Sequence, residues 1–207
     1  MPGPNTTEGT MQQGNGGTDA DPITNLDFAD EEYEIRQSLI RNKYNVYNAG
    51  GDLVLKAKQK LFKMKEDFPF VDPDGEEVFR VKAQNVLDIA GDYAVVDAAS
   101  GEVITTLHKD FTWFRHSWKV KDPDSDEVLA TITSRSLFFD MLRTFSDLFS
   151  LFPHKYTIDT QGGEQIGVLE GKFSIRDVYK LRVGETGSIP REAVLASAIA
   201  VDALEGN

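Results

Sequence analysis

The chain contains no cysteine among its 207 residues. That absence excludes a disulfide framework, a thiolate nucleophile and any cysteine-based zinc site. Histidine is nearly as scarce, with only His108, His116 and His154. His108 and His116 flank an expected turn at Trp113-Phe114-Arg115, so their imidazoles need not converge, and structural or solvated roles account for all three. No G-x-S-x-G elbow or H-E-x-x-H helix organises the serines, acids and histidines that are present, and Gly162-Gly163 lacks the GK[ST] ending of a phosphate loop. The reading is therefore of a protein that is not an enzyme and needs no cofactor. A basic n-region followed by an apolar h-region is also missing, which points to a cytoplasmic location. Positive charge is in deficit: 22 lysines and arginines face 34 aspartates and glutamates, for a net charge of −12. That balance disfavours a nucleic-acid partner and suits a salt-rich, halophilic cytoplasm.

What the chain does have is repetition. Five copies of one hairpin pattern occupy residues 44–58, 68–82, 93–109, 118–135 and 156–172. Each copy is an aromatic-led strand, an acidic or glycine-containing turn, and a second strand ending in lysine or arginine. Apolar and polar residues alternate within each copy, the period of a strand with one face buried. The turns at Gly50-Gly51-Asp52, Asp74-Gly75-Glu76, Ser100-Gly101-Glu102, Asp124-Ser125-Asp126 and Gly162-Gly163-Glu164 use residues that tolerate positive φ or bond their own backbone. With residues 33–40 before and 173–183 after, roughly ten to twelve strands are expected, a number resolved by a sandwich or a closed barrel.

The end of the chain decides between them. Ser188-Ile189-Pro190-Arg191-Glu192 reads as a helix start, with serine near the N-cap and proline in the first turn. The helix expected over residues 190–204 is apolar nearly all round, which fits complete burial or a membrane. Fifteen residues reach only about 22 Å, short of the roughly 20 apolar residues that span a bilayer, so the chain is not read as transmembrane. Its alanines allow close approach of surrounding strands, and Val194, Leu195, Ile199, Val201 and Leu204 form the structural core of the helix.

Three stretches carry a family resemblance: Tyr33-Glu34-Ile35-Arg36-Gln37, Lys109-Asp110-Phe111-Thr112-Trp113-Phe114-Arg115-His116, and residues 190–204 with Ala200-Val201-Asp202. Together with the ordered hairpins they resemble the LURP-one-related family, which belongs with the tubby C-terminal domain and the phospholipid scramblases. The acidic balance fits a haloarchaeal member. The resemblance implies a mainly β fold, a closed antiparallel barrel of about twelve strands around a central hydrophobic C-terminal helix. It covers residues 31–204, so the expected organisation is a tubby-like barrel domain over residues 31–207. Residues 1–30 are expected to form a disordered acidic, glycine-rich tail: they hold five acidic residues and no lysine or arginine.

Two candidate sites stand out. Lys56, Lys58, Lys60, Lys63 and Lys65 run without an intervening acid, the first three alternating with Leu55, Ala57 and Leu61. Such a face can guard a strand edge, or it can bind anionic lipid headgroups at a membrane surface. The resemblance adds weight to the second reading, because tubby domains bind phosphoinositides. Residues 137–152 read as one extra amphipathic helix, with Phe138, Phe145, Phe149 and Phe152 on its apolar face. It can cover a barrel end, or dock a membrane, a protein partner or a second copy of the chain. Asp122, Asp124 and Asp126 superficially resemble a calcium loop, but the sixth-position glycine and twelfth-position glutamate of an EF-hand are absent, leaving a weak cation candidate. The function expected is thus a non-enzymatic barrel module that binds anionic lipid at the membrane periphery. The alternative is a structural or protein-interaction barrel using residues 137–152. A scramblase-like activity ranks below both, because the one fully apolar helix is short.

Overall fold

A computed structural model describes residue 23 and residues 28–38, 43–58, 67–84, 92–112, 115–134, 155–172 and 178–205. Twelve strands follow in chain order: β1 Glu32–Ser38, β2 Lys43–Tyr47, β3 Leu53–Lys58, β4 Asp67–Val71, β5 Glu77–Ala83, β6 Asp92–Asp97, β7 Val103–Thr112, β8 Arg115–Lys121, β9 Val128–Ser134, β10 Lys155–Thr160, β11 Gln165–Lys172 and β12 Val178–Val183. Each pairs antiparallel with its sequence neighbours, and β1 closes on β12 with Glu32 opposite Arg182 and Arg36 opposite Val178. The result is the closed twelve-stranded barrel that the family resemblance implies, with one helix among the described residues, α1 Arg191–Glu205, following it. The candidate helix over residues 137–152 lies outside the described residues.

Alternation builds the interior. In β4, Phe68 and Phe70 are fully buried between outward Asp67, Pro69 and Val71, and Phe70 stacks on Phe79 of β5 with centroids 4.5 Å apart. At the hairpin turns Gly75 takes φ 101° and Gly101 takes φ 76°, a region that L side chains avoid; the fourth hairpin instead places Asp126 at φ 59°. Each of the five hairpins also carries a register shift just before its turn, at Val46/Tyr47, Phe70/Val71, Val95/Val96, Val120/Lys121 and Ile158/Asp159. Such bulges sharpen the local twist and let a sheet curl onto itself. The repeat thus encodes closure as well as pairing. Gly167 in β11 serves a different purpose. A Cβ there would meet Arg182 O and Ile158 Cδ1 at 2.9 Å each, so only glycine lets β11 approach so closely.

Among the described residues the thinnest seam is β3 to β4, where Lys56 opposite Val71 is the one register pair. Lys56 Nζ donates across it to Pro73 O at 2.7 Å.

The barrel interior is occupied by α1. Every residue from Ala193 to Leu204 is buried, including all five of Val194, Leu195, Ile199, Val201 and Leu204. The alanines permit this, because a barrel filled by a helix leaves no room for large side chains on every face. The helix begins one residue later than its sequence suggests: Pro190 sits at the flanking position, its carbonyl accepting from Val194 N at 3.2 Å, and Ser188 lies outside. The tail boundary at residue 30 also moves. Ile23 and Phe28 are buried in the core, and Arg191 donates to Phe28 O at 3.0 Å, Asp30 O at 2.6 Å and Gly184 O at 2.7 Å. Two large apolar side chains in an otherwise polar stretch are enough to draw it against the helix start.

Candidate functional site

The most buried polar constellation lies where α1 passes the ends of β1 and β2. Asp202 Oδ2 accepts from Gln37 Nε2 at 2.9 Å and from Tyr44 Oη at 2.8 Å, with Ile199 O 3.1 Å from the same hydroxyl. All three side chains are buried. A carboxylate at that depth persists only when hydrogen-bonded, so the trio fixes the helix in one register along the barrel. Burial first, and then the neighbouring Asp202 charge, push the Tyr44 phenol well above its ordinary value of 10.0. In the unfolded chain Tyr44 ionises near 10, whereas in the folded protein it stays neutral. Stability is therefore whole below that pH and is lost as pH rises through 10 toward the folded value. Urea unfolding at about pH 8 and about pH 11 is expected to show the loss, and Tyr44→Phe to lessen it. An equal alkaline loss in Tyr44→Phe would remove Tyr44 as its source.

At the C-terminus of α1, Glu205 Oε1 accepts from Trp118 Nε1 at 2.9 Å and from Lys109 Nζ at 2.6 Å, and Lys109 sits 5.2 Å from the Trp118 ring centroid. The last turn of α1 has no basic residue of its own, so Lys109 from β7 supplies the cation that a helix C-terminus favours. Tyr93 packs on Trp118 with centroids 5.9 Å apart, and its phenol is raised by burial and then by Glu205. This cluster and the Asp202 trio hold the helix; neither presents an open reaction centre.

His108 lies on β7 between two carboxylates. Nδ1 lies 2.5 Å from Asp92 Oδ1 and Nε2 3.5 Å from Asp110 Oδ1, while Asp110 Oδ2 holds Lys119 Nζ at 2.9 Å. Both ring nitrogens face carboxylates on opposite sides, which ties β6, β7 and β8 together on the outer wall and leaves no nitrogen for a metal. The weak cation candidates Asp122, Asp124 and Asp126 lie in the fourth hairpin turn. Asp122 Oδ1 accepts from Ser125 N at 2.8 Å, Ser125 Oγ at 2.9 Å and Asp124 N at 3.1 Å, and these bonds, the Ser125 backbone one foremost, lower its pKa. Asp126 is drawn instead to Lys121 Nζ at 2.9 Å. Among the described residues no group of three acids or histidines could hold a metal ion.

The lysine run divides. Lys56 lies on β3 opposite Val71 and donates across the β3–β4 seam. Lys58 ends β3, and the register sets it opposite Lys43 of β2. Lys60, Lys63 and Lys65 lie outside the described residues, as do Phe138, Phe145, Phe149 and Phe152. Lys43 escaped the sequence reading because it belongs to a different strand.

Topology relates these pieces. The tight turns of all five hairpins, and the link from β12 to α1, lie at one end of the barrel, here the turn end; α1 runs from there to the exit end. The chain leaves β3 after Lys58 and returns at Asp67, and leaves β9 after Ser134 and returns at Lys155, both at the exit end. The lysine-rich and phenylalanine-rich stretches therefore join strands at the same end.

No described helix is long and apolar enough to cross a membrane. No curated protein matches the chain. An X-ray structure of a protein from Arabidopsis thaliana superposes with a TM-score of 0.53 at 10% identity, covering 92% of this chain and 99% of that one. At that identity the likeness speaks for the barrel alone. The family model described as LURP-one-related matches residues 53–202, from β3 to the Asp202 that holds the helix in register. The chain belongs to the LURP-one-related family.

Proposed function

We propose that this protein is a non-enzymatic, tubby-like barrel module that associates peripherally with membranes by binding anionic lipid headgroups at its exit end. One observation carries the reading. Lys43 and Lys58 are set directly opposite on neighbouring strands at the point where the chain enters the lysine-rich residues 59–66. Like charges directly opposite in a sheet are destabilising, and an anion between them relieves the cost. The sequence of residues 137–152, which join strands at the same end, is phenylalanine-rich, a composition that seats in a headgroup layer when amphipathic. Lipid translocation is no part of this reading, because α1 fills the barrel.

The test is co-sedimentation with phosphatidylserine-containing and purely zwitterionic vesicles across a salt series. Binding is expected only to the anionic vesicles and to weaken with salt. Each lysine near a charged surface contributes about 1 kcal/mol, so Lys43→Glu with Lys58→Glu is expected to weaken binding by well over tenfold, and Lys56→Glu by much less. Binding that ignores both salt and the double reversal would sink the headgroup reading. Salt-insensitive self-association, lost on Phe145→Asp or Phe149→Asp, would establish the protein-interaction reading in its place.

A further inference from the structure

We propose that the start of α1 and the end of β12 form a seat for an extended peptide in which a phenylalanine is followed two residues later by an acid, and that residues 28–31 of the chain occupy this seat in cis. Those residues read Phe28-Ala29-Asp30-Glu31 and lead directly into β1. Arg191 is the centre of the seat. Its Nε donates to Phe28 O at 3.0 Å, its Nη2 to Asp30 O at 2.6 Å and its Nη1 to Gly184 O at 2.7 Å. A guanidinium ordinarily pairs with a carboxylate, whose planar geometry matches its fork. Here, among the described residues, all three nitrogens go to main-chain carbonyls. Main-chain bonding is how extended peptides are held, with side-chain pockets adding selectivity.

Both parts of that scheme are present. On the main chain, Val183 N donates to Glu31 O at 3.0 Å, which prolongs the β1–β12 pairing one residue before β1, and Asp30 N donates to Tyr33 Oη at 3.1 Å. The pocket takes Phe28, which is 2% exposed and meets the Tyr33 ring edge-on with centroids 5.7 Å apart. Ala29 is exposed, so its identity is not read. Asp30 is read, because its Oδ2 accepts from Ala49 N in the β2–β3 turn at 3.3 Å.

The seat is assembled by groups that other contacts already fix. Arg191 is carried by α1, which the barrel encloses, and Tyr33 and Val183 belong to β1 and β12, which pair at five positions of their own. Ala49 sits in a turn closed by Asn48 N to Asp52 O at 2.9 Å and by Gly51 N to Asn48 O at 3.0 Å. A site organised in advance costs little to fill. Residues 28–31 are therefore an occupant, and their tether to β1 gives them the advantage of an intramolecular competitor. The contact is autoinhibitory: a partner peptide of the same pattern enters when it displaces the segment.

The test uses the full-length chain and a fluorescein-labelled peptide of residues 24–31, TNLDFADE. Phe28→Ala empties the pocket while leaving Arg191, Tyr33, Val183 and Ala49 in place. By fluorescence anisotropy this variant is expected to bind the peptide at least about tenfold more tightly than the native chain, whose own segment competes. Adding Arg191→Lys keeps the charge but loses the fork, and is expected to weaken binding by about tenfold, as is alanine in place of phenylalanine in the peptide. Equal binding by the native chain and the Phe28→Ala variant overturns the proposal. So does indifference to Arg191→Lys or to the alanine peptide, or no binding by a Phe28→Ala protein that keeps a sharp urea unfolding transition. Where that variant does not fold, the native chain is titrated with the peptide to about millimolar concentration, with the Arg191 Nε–H resonance as the readout. A saturable shift that the alanine peptide does not give supports the seat, and its absence overturns it.

Discussion

A chain ending at Pro190 is expected to have no cooperatively folded barrel at all. The residues removed include Val194, Leu195, Ile199, Val201 and Leu204, each at most 4% exposed. At about 2 kcal/mol apiece they contribute on the order of 10 kcal/mol gross, similar to the whole net stability of a typical domain. The loss goes further than area. The inward faces of twelve strands would then line a hole too large to collapse, and unfilled core volume adds its own cost. Circular dichroism and urea unfolding of the truncated chain beside the full one provide the check. A truncated protein with a sharp, near-native unfolding transition would show that the strands make a core without the helix. Within the intact chain, Ile199→Ala is expected to cost about 2–5 kcal/mol, in line with other buried large-to-small changes.

Asp202→Ala is expected to be the most damaging single change to a polar residue, at about 3–5 kcal/mol. Removing the carboxylate leaves a small cavity and withdraws one partner from the buried Gln37 amide and one from the buried Tyr44 hydroxyl, which keeps Ile199 O. For a protein of this size that corresponds to a fall of roughly 10 °C in Tm. Asp202→Asn keeps an acceptor and is expected to cost less. The diagnostic is non-additivity: Tyr44→Phe with Gln37→Leu should be less harmful in the Asp202→Ala background than in the native one, because the bonds that these groups make to Asp202 are already gone. An Asp202→Ala protein within about 1 kcal/mol of the native one would mean that the trio does not hold the helix.

The architecture was legible because its rules are local. Alternation around pairs such as Phe68 and Phe70, turn residues such as Asp74-Gly75, and an apolar helix rich in alanine each state a geometry within a few residues. Twelve strands and a buried helix follow. What escaped depends on neighbours that sequence keeps apart. Gln37, Tyr44 and Asp202 are drawn together over separations of 158 and 165 residues. Lys43 gains meaning only from the register that places it across from Lys58, and the contact of Lys56 with the Pro73 carbonyl spans two hairpins. The hairpin bulges were equally hidden, since a one-residue slip leaves the apolar pattern on each side unchanged in kind. Ile23 and Phe28 were passed over because a polar, acidic tail dilutes two apolar residues below any periodic signal.

The order of synthesis gives the buried helix one further consequence. α1 follows all twelve strands in the chain, and β12, which must close on β1, only just precedes it. During translation the strands emerge without the segment that fills them, carrying inward faces such as Phe68, Phe70, Phe79 and Trp118 with nothing yet to cover them. Domains that fold as they are made do so from the N-terminus, but here the centre of the fold is the last part to arrive. Barrel closure must therefore wait for Leu204 to clear the ribosome. Until then the nascent chain is a set of unpaired edges and exposed aromatics, the kind of substrate that molecular chaperones hold.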